Sequence, residues 1–368
     1  MSARFLTVVL ERAFNMRDGF GREIDYMRIS VIDSCNLNCY YCNPCDNNEH
    51  CHALNILSVK EVLCIVRAAT RLGIKHFRLT GGEPLLHPQL DEMVLQIKKI
   101  PGVSSVSLTT NAVLLAQHAK WLKEAGIDSI NVSLDTIDAS EYERITKKPL
   151  LEEVKHGINA AIECGIRVKI NVVLTPQTDV VALTRYVAKK GTDIRFIEMM
   201  PEGHTNGVEP YKKVIGTLSK LYGEPCRINT EKTKEINSGN DKRKIPDNGP
   251  AEYYIFPELG IRVGLIQAIH GKFCDTCNRI RVTADGRLMP CLGSSVTMDL
   301  VPDSWDFADD VEKDFAIVRA LRAAIKAKPR CHNFNDNAVT YTKTTETKTT
   351  EIEAAEVNAA RNMSRIGG

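Results

Sequence analysis

The first half of the chain alternates regularly between short apolar segments and longer amphipathic ones. The short segments are rich in Val, Ile and Leu and change polarity every second residue, which predicts strands. The longer segments have a helical period and stop at glycines, and a capping box at Ser58–Glu61 marks the start of the first one. The predicted strands are 27–32, 75–79, 104–109, 129–134, 167–174 and 193–199, and the predicted helices between them are 59–72, 89–100, 114–125, 151–164 and 180–190.

Six strands, each followed by a helix or a loop, predict an α/β fold. Without a further closing pair, the pattern favours an incomplete (β/α)6 barrel of the TIM type over a full eightfold barrel. In such barrels the loops at the C-terminal ends of the strands carry the chemistry. We therefore expect functional residues in the loops that follow these strands.

The alternation stops after residue 201. Residues 340–351 are almost entirely Thr, Lys and Glu, a composition that buries too little apolar surface to fold and predicts disorder. The other predicted elements are a helix at 211–222, a polar loop at 231–250, a hairpin formed by 251–256 and 261–266, and an amphipathic helix at 310–326. The predicted regions are an N-terminal arm (1–26), the partial barrel (27–205), a C-terminal α+β extension (206–335) and a low-complexity segment with a Gly-Gly tail (336–368).

Composition narrows the function classes. The 368 residues include 48 Lys and Arg and 46 Asp and Glu, so the net charge of +2 favours neither nucleic acid nor a membrane surface as a partner. The N-terminus resembles neither a signal peptide nor a membrane span, and we expect a cytoplasmic protein. In that compartment, grouped cysteines are typical of metal or redox sites rather than disulfides.

Cys35, Cys39 and Cys42 directly follow the first predicted strand at C-x3-C-x2-C spacing. Three thiolates can hold an iron–sulfur cluster at three corners and leave its fourth iron open to a small molecule. Structural zinc is the alternative, although it requires four closed ligands and usually has a second ligand pair nearby. The spacing therefore favours a cluster with an open iron.

A second incomplete set consists of Cys274, Cys277 and Cys291. Two incomplete sets in one chain indicate a second cluster more strongly than either set would alone. Cys331 and His332 could instead complete a structural zinc site around this set, and that alternative stays open.

Arg279 and Arg281 lie beside the second set and are two residues apart. In an extended segment both side chains point the same way. Paired guanidiniums suit a polyphosphate because each can donate a bidentate fork to phosphate oxygens, although a solvated pair of arginines on a strand is also common.

Several further segments form a recognisable pattern in a fixed order. They are Arg28-Ile29-Ser30, Thr80-Gly81-Gly82-Glu83-Pro84-Leu85, Asn131-Val132-Ser133-Leu134-Asp135, Arg195-Phe196-Ile197-Glu198-Met199-Met200-Pro201, and Cys277-Asn278-Arg279-Ile280-Arg281 with Thr283-Ala284-Asp285-Gly286. Together with the two cysteine sets, they resemble the GTP 3′,8-cyclases of molybdenum-cofactor biosynthesis, which are radical S-adenosylmethionine (SAM) enzymes. The resemblance covers nearly the whole chain.

The resemblance implies SAM and two [4Fe–4S] clusters as cofactors. The first cluster would bind SAM at its open iron and cleave it reductively to a 5′-deoxyadenosyl radical, and the second would meet the guanine. The implied ligands of the first cluster are Cys35, Cys39 and Cys42, those of the second are Cys274, Cys277 and Cys291, and the implied SAM pocket comprises Tyr41, Gly81, Gly82, Glu83, Thr109 and Ser133.

The implied reaction converts GTP to (8S)-3′,8-cyclo-7,8-dihydroguanosine 5′-triphosphate, the first step of molybdopterin synthesis. The implied partners are an electron donor and a downstream cyclic pyranopterin monophosphate synthase, and the resemblance leaves room for a homodimer. The terminal Gly367-Gly368 would reach into the active site. The residues implied in GTP binding are Arg28, Arg78, Lys169, Arg195, Arg279 and Arg281.

Three features depart from the family pattern. His76 replaces a lysine, Ala112 replaces a glycine, and the loop after the first cysteine set contains Cys45 and Cys51 as additional cysteines. They leave open a diverged paralogue that acts on another purine nucleotide. A radical SAM enzyme that modifies peptides and a non-enzymatic two-zinc scaffold are two further hypotheses.

Overall fold

The computed structural model describes residues 16–42, 55–200, 209–228, 249–294, 297–300 and 310–332. The strands in these ranges are β1 (Tyr26–Ser30), β2 (His76–Thr80), β3 (Ser105–Thr110), β4 (Ser129–Ser133), β5 (Val168–Leu174), β6 (Asp193–Glu198), β7 (Cys226–Ile228), β8 (Glu252–Ile255), β9 (Arg262–Ile266), β10 (Arg279–Val282), β11 (Arg287–Met289) and β12 (Met298–Asp299). The α-helices are α1 (Val59–Arg71), α2 (Leu90–Lys98), α3 (Leu115–Glu124), α4 (Ala139–Thr146), α5 (Leu151–Glu163), α6 (Val180–Lys189), α7 (Gly216–Tyr222) and α8 (Asp310–Lys326).

The strands form one sheet in the order β12-β11-β10-β1-β2-β3-β4-β5-β6-β9-β8-β7. Strands β1 to β6 are parallel neighbours, and β9 and β10 add one parallel strand at each edge, next to β6 and β1 respectively. In the described part of the chain no pairing joins β9 to β10, so the barrel is open. This α/β architecture confirms the predicted incomplete barrel with a C-terminal extension.

The parallel strands bury one face under the helices and turn the other face inward. Along β1, Met27 and Ile29 are fully buried in the hydrophobic core, whereas Arg28 lines the interior cavity. Helix α1 covers the outer face with Val62 and Ile65. Every second side chain along a strand therefore lies on the inner face. Many of these side chains are polar, and they surround the candidate site.

The two ends of the described chain meet on helix α1. Helix α8 packs on α1, and Arg71 and Asp314 form an ion pair of 2.7 Å between them. Residues 16–25, which the sequence places in an arm, also pack into the fold because Ile24 is fully buried and the Met16 amide donates to Leu72 at 3.0 Å. The sheet continues from β6 to β9 across the predicted boundary at residue 205, and the division into regions stays a prediction.

The predicted barrel elements agree with the observed ones to within two residues, but helix α4 was not predicted. This helix has only eight residues, too few for a clear helical period. Asp138 caps it by accepting the Glu141 amide at 2.8 Å, and it ends at Lys147 in a left-handed conformation. The predicted disordered segment 340–351 and the Gly367-Gly368 end lie outside the described residues. No described helix has the length and apolar character needed to cross a bilayer.

Candidate active site

A cavity of about 540 Å³ lies on the inner face of the open barrel. Side chains at alternate strand positions form its wall, for example Ser105, Ser107 and Thr109 of β3. The six residues assigned to GTP from the sequence and the three cysteines of the second set all line it: Arg28, Arg78, Lys169, Arg195, Arg279, Arg281, Cys274, Cys277 and Cys291. Residues from both ends of the chain therefore meet at one cavity.

Three arginines stand side by side on one wall. Arg28 is the register partner of Arg281 on one side and of Arg78 on the other, and adjacent strands are about 4.8 Å apart. Burial and the charge of Arg281 hold the pKa of Arg28 well below its usual range, and burial with the charge of Arg279 lowers the pKa of Arg281 to about 10. The Nη1 atom of Arg281 is buried without a hydrogen-bond partner in the described part of the chain. Such a row of buried like charges favours the binding of a polyanion.

Strands β5 and β6 add two more cations to the cavity. The ammonium of Lys169 lies 5.9 Å from the centre of the Tyr253 ring, and the Nε of Arg195 donates to the Asn171 amide oxygen at 2.9 Å. Both side chains are nearly buried, at 5% and 4% exposure respectively. The contacts with Tyr253 and Asn171 keep both cations in the interior of the barrel and away from solvent.

His76 takes the place of the expected lysine on this wall. Its Nδ1 is 2.8 Å from the Ser105 hydroxyl, and its ring lies 6.4 Å from the ring of Tyr26. Burial lowers the pKa of His76, so the ring is neutral at pH 7. Burial alone would raise the pKa of Tyr26, yet Arg78 and Arg28 bring it below its usual value, which shows the strength of the positive field. The cavity thus has a hydrogen-bonding ring at this position in place of a fixed charge.

The second cysteine set (Cys274, Cys277 and Cys291) lies at the edge of this positive field. Although burial raises the pKa of Cys277, the charges of Arg279 and Lys328 lower it to about 7. Cys277 is therefore prepared for the thiolate form, which is the form that binds metal, whereas burial raises the pKa of Cys274. Among the described residues no three His, Cys, Asp or Glu side chains are placed around one metal ion, as a mononuclear zinc site requires.

A fourth thiol lies beside the second set. The Cys331 sulfur is 3.5 Å from the sulfur of Cys274. The Nε2 of the neighbouring His332 donates to the carbonyl oxygen of Ala268 at 2.8 Å and is therefore occupied by a protein partner. Of the two residues considered as extra ligands, the structure thus brings the Cys331 thiol against the set.

The first cysteine set (Cys35, Cys39 and Cys42) lies in the loop after β1. Burial and the charge of Cys42 raise the pKa of Cys39 well above its usual range. Cys35 exposes much of its surface, yet the atoms packed around its sulfur raise its pKa to about 11. Helix α4 supports this loop, because the carbonyls of Thr146 and Ile145 accept from backbone amides of the loop at 3.0 and 3.1 Å.

Tyr41 ties the first cysteine set to the C-terminal ends of two other strands. Its hydroxyl donates to Asp135 at 2.5 Å, and the same carboxylate accepts the Val173 amide at 2.7 Å. Burial and the Asp135 charge hold the pKa of Tyr41 well above its usual range, so it stays a neutral donor. Hydrogen bonds therefore hold the Tyr41 side of the loop, and the guanidinium of Arg144 lies 5.6 Å from the centre of the neighbouring Tyr40 ring.

Gly81 and Gly82 allow the loop after β2 to pack against the backbone of the first cysteine loop. A Cβ on Gly81 would lie 2.4 Å from the Ile32 carbonyl, and one on Gly82 would lie 2.2 Å from that of Ser34. The family resemblance implies close approach by SAM at these glycines, and the observed close approach is between two protein loops. Any larger residue would push the cysteine loop away.

The Glu83 side chain is fully buried, with 0% exposure. Its carboxylate accepts from Leu85 at 3.0 Å, from the Thr110 hydroxyl at 2.7 Å and from the Asn111 amide at 2.7 Å. Burial raises its pKa to about 7. These contacts show that Glu83 joins the loops after β2 and β3.

The remaining predicted SAM residues lie at strand ends. Thr109 lines the cavity, whereas Ser133 is exposed at the end of β4 and does not. Asn111 donates to the Asn36 side chain at 2.8 Å and approaches the Cys35 sulfur at 3.7 Å, so the loop after β3 also supports the first cysteine set.

Lys328 and Arg22, which contact the second set from distant parts of the chain, were not predicted. The roles of both residues depend on contacts that are distant in sequence, so local patterns give no signal for them. Asn131 and Asn171, which line the cavity, were not predicted either. The alternation of polar and apolar residues along β4 and β5 could have identified these two.

Comparison with known proteins accounts for most of the chain. Residues 29–182 match the family model of the radical SAM superfamily, and residues 192–334 match the model described as Molybdenum Cofactor Synthesis C. The chain is 35% identical over 322 residues to a GTP 3′,8-cyclase from Clostridium perfringens (strain SM101 / Type A), covering 87% of this chain and 95% of that protein. It is 36% identical over 329 residues to a GTP 3′,8-cyclase from Petrotoga mobilis, covering 88% and 96% respectively.

Solved structures share the fold at much lower identity. Streptococcus suis SuiB bound to S-adenosylmethionine has a TM-score of 0.53 and 14% identity, over 75% of this chain and 63% of that one. SuiB bound to its precursor peptide SuiA has a TM-score of 0.56 and 13% identity, over 97% and 73% respectively. This likeness establishes the shared α/β fold and does not extend to the substrate.

Proposed function

Because this chain belongs to the GTP 3′,8-cyclase family of radical SAM enzymes, we propose that its cavity binds GTP next to the second cysteine set. The protein is a radical SAM enzyme of molybdenum-cofactor biosynthesis, and it catalyses the first step, the cyclisation of GTP. Family membership brings a [4Fe–4S] cluster and SAM as cofactors.

The observation that carries the GTP site is the convergence of six cations on one cavity. Arg281, Arg28 and Arg78 form an uninterrupted row across three strands. A triphosphate would neutralise this row, and guanidinium forks donate to phosphate oxygens in pairs. The volume of about 540 Å³ is in the range of small-molecule sites.

We assign the [4Fe–4S] cluster that binds SAM to the first cysteine set. The chemistry of the donors fits, because Cys35, Cys39 and Cys42 lie in one loop after β1 and three thiolates can hold such a cluster at three corners. When bound, the cluster and SAM supply the one-electron chemistry that starts the removal of hydrogen from the substrate. The chain itself orients the loop through Tyr41 and Asn111.

We place SAM against the loops at the C-terminal ends of β2, β3 and β4. The residues proposed to line it are Tyr41, Gly81, Gly82, Glu83, Thr109 and Ser133, and Glu83 also holds two of these loops together. Thr109 also borders the cavity proposed for GTP, so SAM and GTP would be neighbours.

We assign a second [4Fe–4S] cluster to the second cysteine set. The lowered pKa of Cys277 and the position of all three thiols on the cavity wall support this assignment. A cluster held by these three cysteines would lie beside the substrate, and Arg279 and Arg281 on the adjoining strand would hold the phosphates of the substrate. Excluding water from this interior would strengthen each of these charge interactions.

The test is formation of 5′-deoxyadenosine by anaerobically reconstituted protein, reduced in the presence of SAM and one nucleoside triphosphate at a time. We expect a burst with GTP only, giving a product that converts to a pterin. Equal, slow cleavage of SAM with every nucleotide would leave the radical chemistry intact and remove GTP as the substrate.

A diverged paralogue that acts on another purine nucleotide is the second candidate, and His76 is the observation that favours it. A neutral ring bound to Ser105 supplies less attraction to a triphosphate than a lysine does. In that case a purine nucleotide with fewer phosphates would give the burst in the same assay.

Two further partners follow from the pathway. We propose that a one-electron donor reduces the first cluster and that a cyclic pyranopterin monophosphate synthase consumes the product. A homodimer is compatible with this proposal, and size measurement in solution tests it.

A further inference from the structure

Two buried cations, Arg22 near the start of the described chain and Lys328 near its end, contact the segments that carry the second cysteine set. Arg22 lies in the turn before β1, and Lys328 follows helix α8. Their exposed fractions are only 8% and 3% respectively. Their donors are directed at main-chain carbonyls of these segments.

Arg22 connects the segment of Cys274 to residues 329–330, which follow helix α8. Its Nη1 donates to the carbonyls of Cys274 at 2.7 Å and Arg330 at 2.9 Å, and its Nη2 donates to that of Pro329 at 2.7 Å. Its Nε pairs with the buried carboxylate of Asp18, which balances the charge and fixes the guanidinium plane. One planar group thus binds three carbonyls at once.

Lys328 connects the other two cysteine segments. Its ammonium donates to the carbonyls of Arg279 and Pro290, both at 2.8 Å. Arg279 comes two residues after Cys277, and Pro290 directly precedes Cys291. A single ammonium therefore sets the distance between these two segments.

We propose that Arg22 and Lys328 are positioning residues that set the spacing of the three thiols for the second cluster, and that the charge of Lys328 also favours the reduced cluster. This inference rests on the proposed second cluster. Without either cation, buried carbonyls lose their donors and the segments can separate. Reduction adds negative charge to a cluster, so a buried cation nearby stabilises the reduced state.

The test uses the full-length chain with the first cysteine set replaced by serine, so that all bound iron belongs to the second set. Lys328→Met is introduced into this background. The matched control is Lys213→Met, because Lys213 also donates to two carbonyls, those of Thr175 and Pro176 at 2.6 and 2.8 Å, outside the second set. The readouts are iron and sulfide per chain after anaerobic reconstitution and the reduction potential of the cluster.

We expect about four iron atoms per chain in the background and in Lys213→Met. Lys328→Met should lose about 10-fold or more in iron affinity, as other residues that support metal ligands do, and its remaining cluster should have a more negative potential. Lys328→Arg retains charge and donors and should restore the potential. Arg22→Lys keeps the charge opposite Asp18 but cannot reach three carbonyls, so it should lose iron without shifting the potential.

Unchanged iron and potential in both Lys328→Met and Arg22→Lys would overturn the positioning role. So would loss of the first cluster from Lys328→Met in a chain whose second set is serine, because that loss would indicate general unfolding. If the background chain itself binds no iron, the second cluster proposed above is wrong, and this inference falls with it. The background chain thus separates failure of the function from failure of the inference.

Discussion

The two cysteine sets lie in opposite electrostatic surroundings. Neutral and acidic groups surround most of the first set, namely Asn111, the Tyr41–Asp135 pair and, through its neighbouring loops, Glu83. Burial raises the pKa values of Cys35 and Cys39. Cations surround the second set, and the charges of Arg279 and Lys328 lower the pKa of Cys277 to about 7, although burial raises that of Cys274. SAM carries an ammonium and a sulfonium, whereas GTP is a polyanion, so each set matches the charge of the ligand proposed beside it.

The largest effect that separates the two sets is expected from Cys35→Ala. We expect loss of the first cluster, about four iron atoms per chain, and of all SAM cleavage, because three thiolates are the minimum for this type of site. Nucleotide binding at the other set should persist, which equilibrium dialysis with GTP can measure. Loss of both SAM cleavage and GTP binding would mean that the two cysteine sets fold as one unit and do not act as separate sites.

Arg279→Ala tests the cationic surroundings of the second cysteine set. Removing one charged donor from the cavity should weaken GTP binding about 10- to 100-fold and leave SAM binding unchanged. Arg287→Ala is the matched control, since Arg287 lies on the next strand with 47% of its side chain exposed and pairs with Asp299. Equal GTP affinity in both variants would contradict the phosphate assignment.

Glu83→Gln tests the acidic surroundings of the first cysteine set through the pH dependence of the free energy of unfolding. Burial raises the pKa of Glu83 to about 7 from 4.5, so the folded state binds more protons than the unfolded state between these values. Its contribution to stability is therefore fully present below pH 4.5 and is lost as the pH rises to about 7, by up to about 3 kcal/mol. Chemical denaturation from pH 5 to 8 should show the wild type losing stability relative to Glu83→Gln, and a constant difference would mean that Glu83 titrates normally.

Much of the barrel and of the site could be predicted from local sequence. The βα alternation locates the strands, and the cysteine sets and cations follow strand ends or occupy inward positions, all of which are local patterns. The addition of β9 beside β6 and β10 beside β1 is a long-range pairing without a local signal. The same holds for Arg22 and Lys328, whose roles depend on contacts across 252 and 49 residues of sequence respectively.

The smallest expected effect concerns strain near the first cysteine set. Ala112 has φ 66°, a left-handed conformation that costs a residue with a Cβ about 1–2 kcal/mol, and it follows the Asn111 that supports Cys35. Ala112→Gly relieves this strain, but it removes a fully buried methyl group and gives the unfolded chain more freedom, so we expect a net change of less than about 0.5 kcal/mol in the free energy of unfolding. Ala160→Gly, in right-handed helix α5, should lose about 1 kcal/mol in the same denaturation experiment. If Ala112→Gly loses as much stability as Ala160→Gly, the backbone of the loop after β3 is not strained at Ala112.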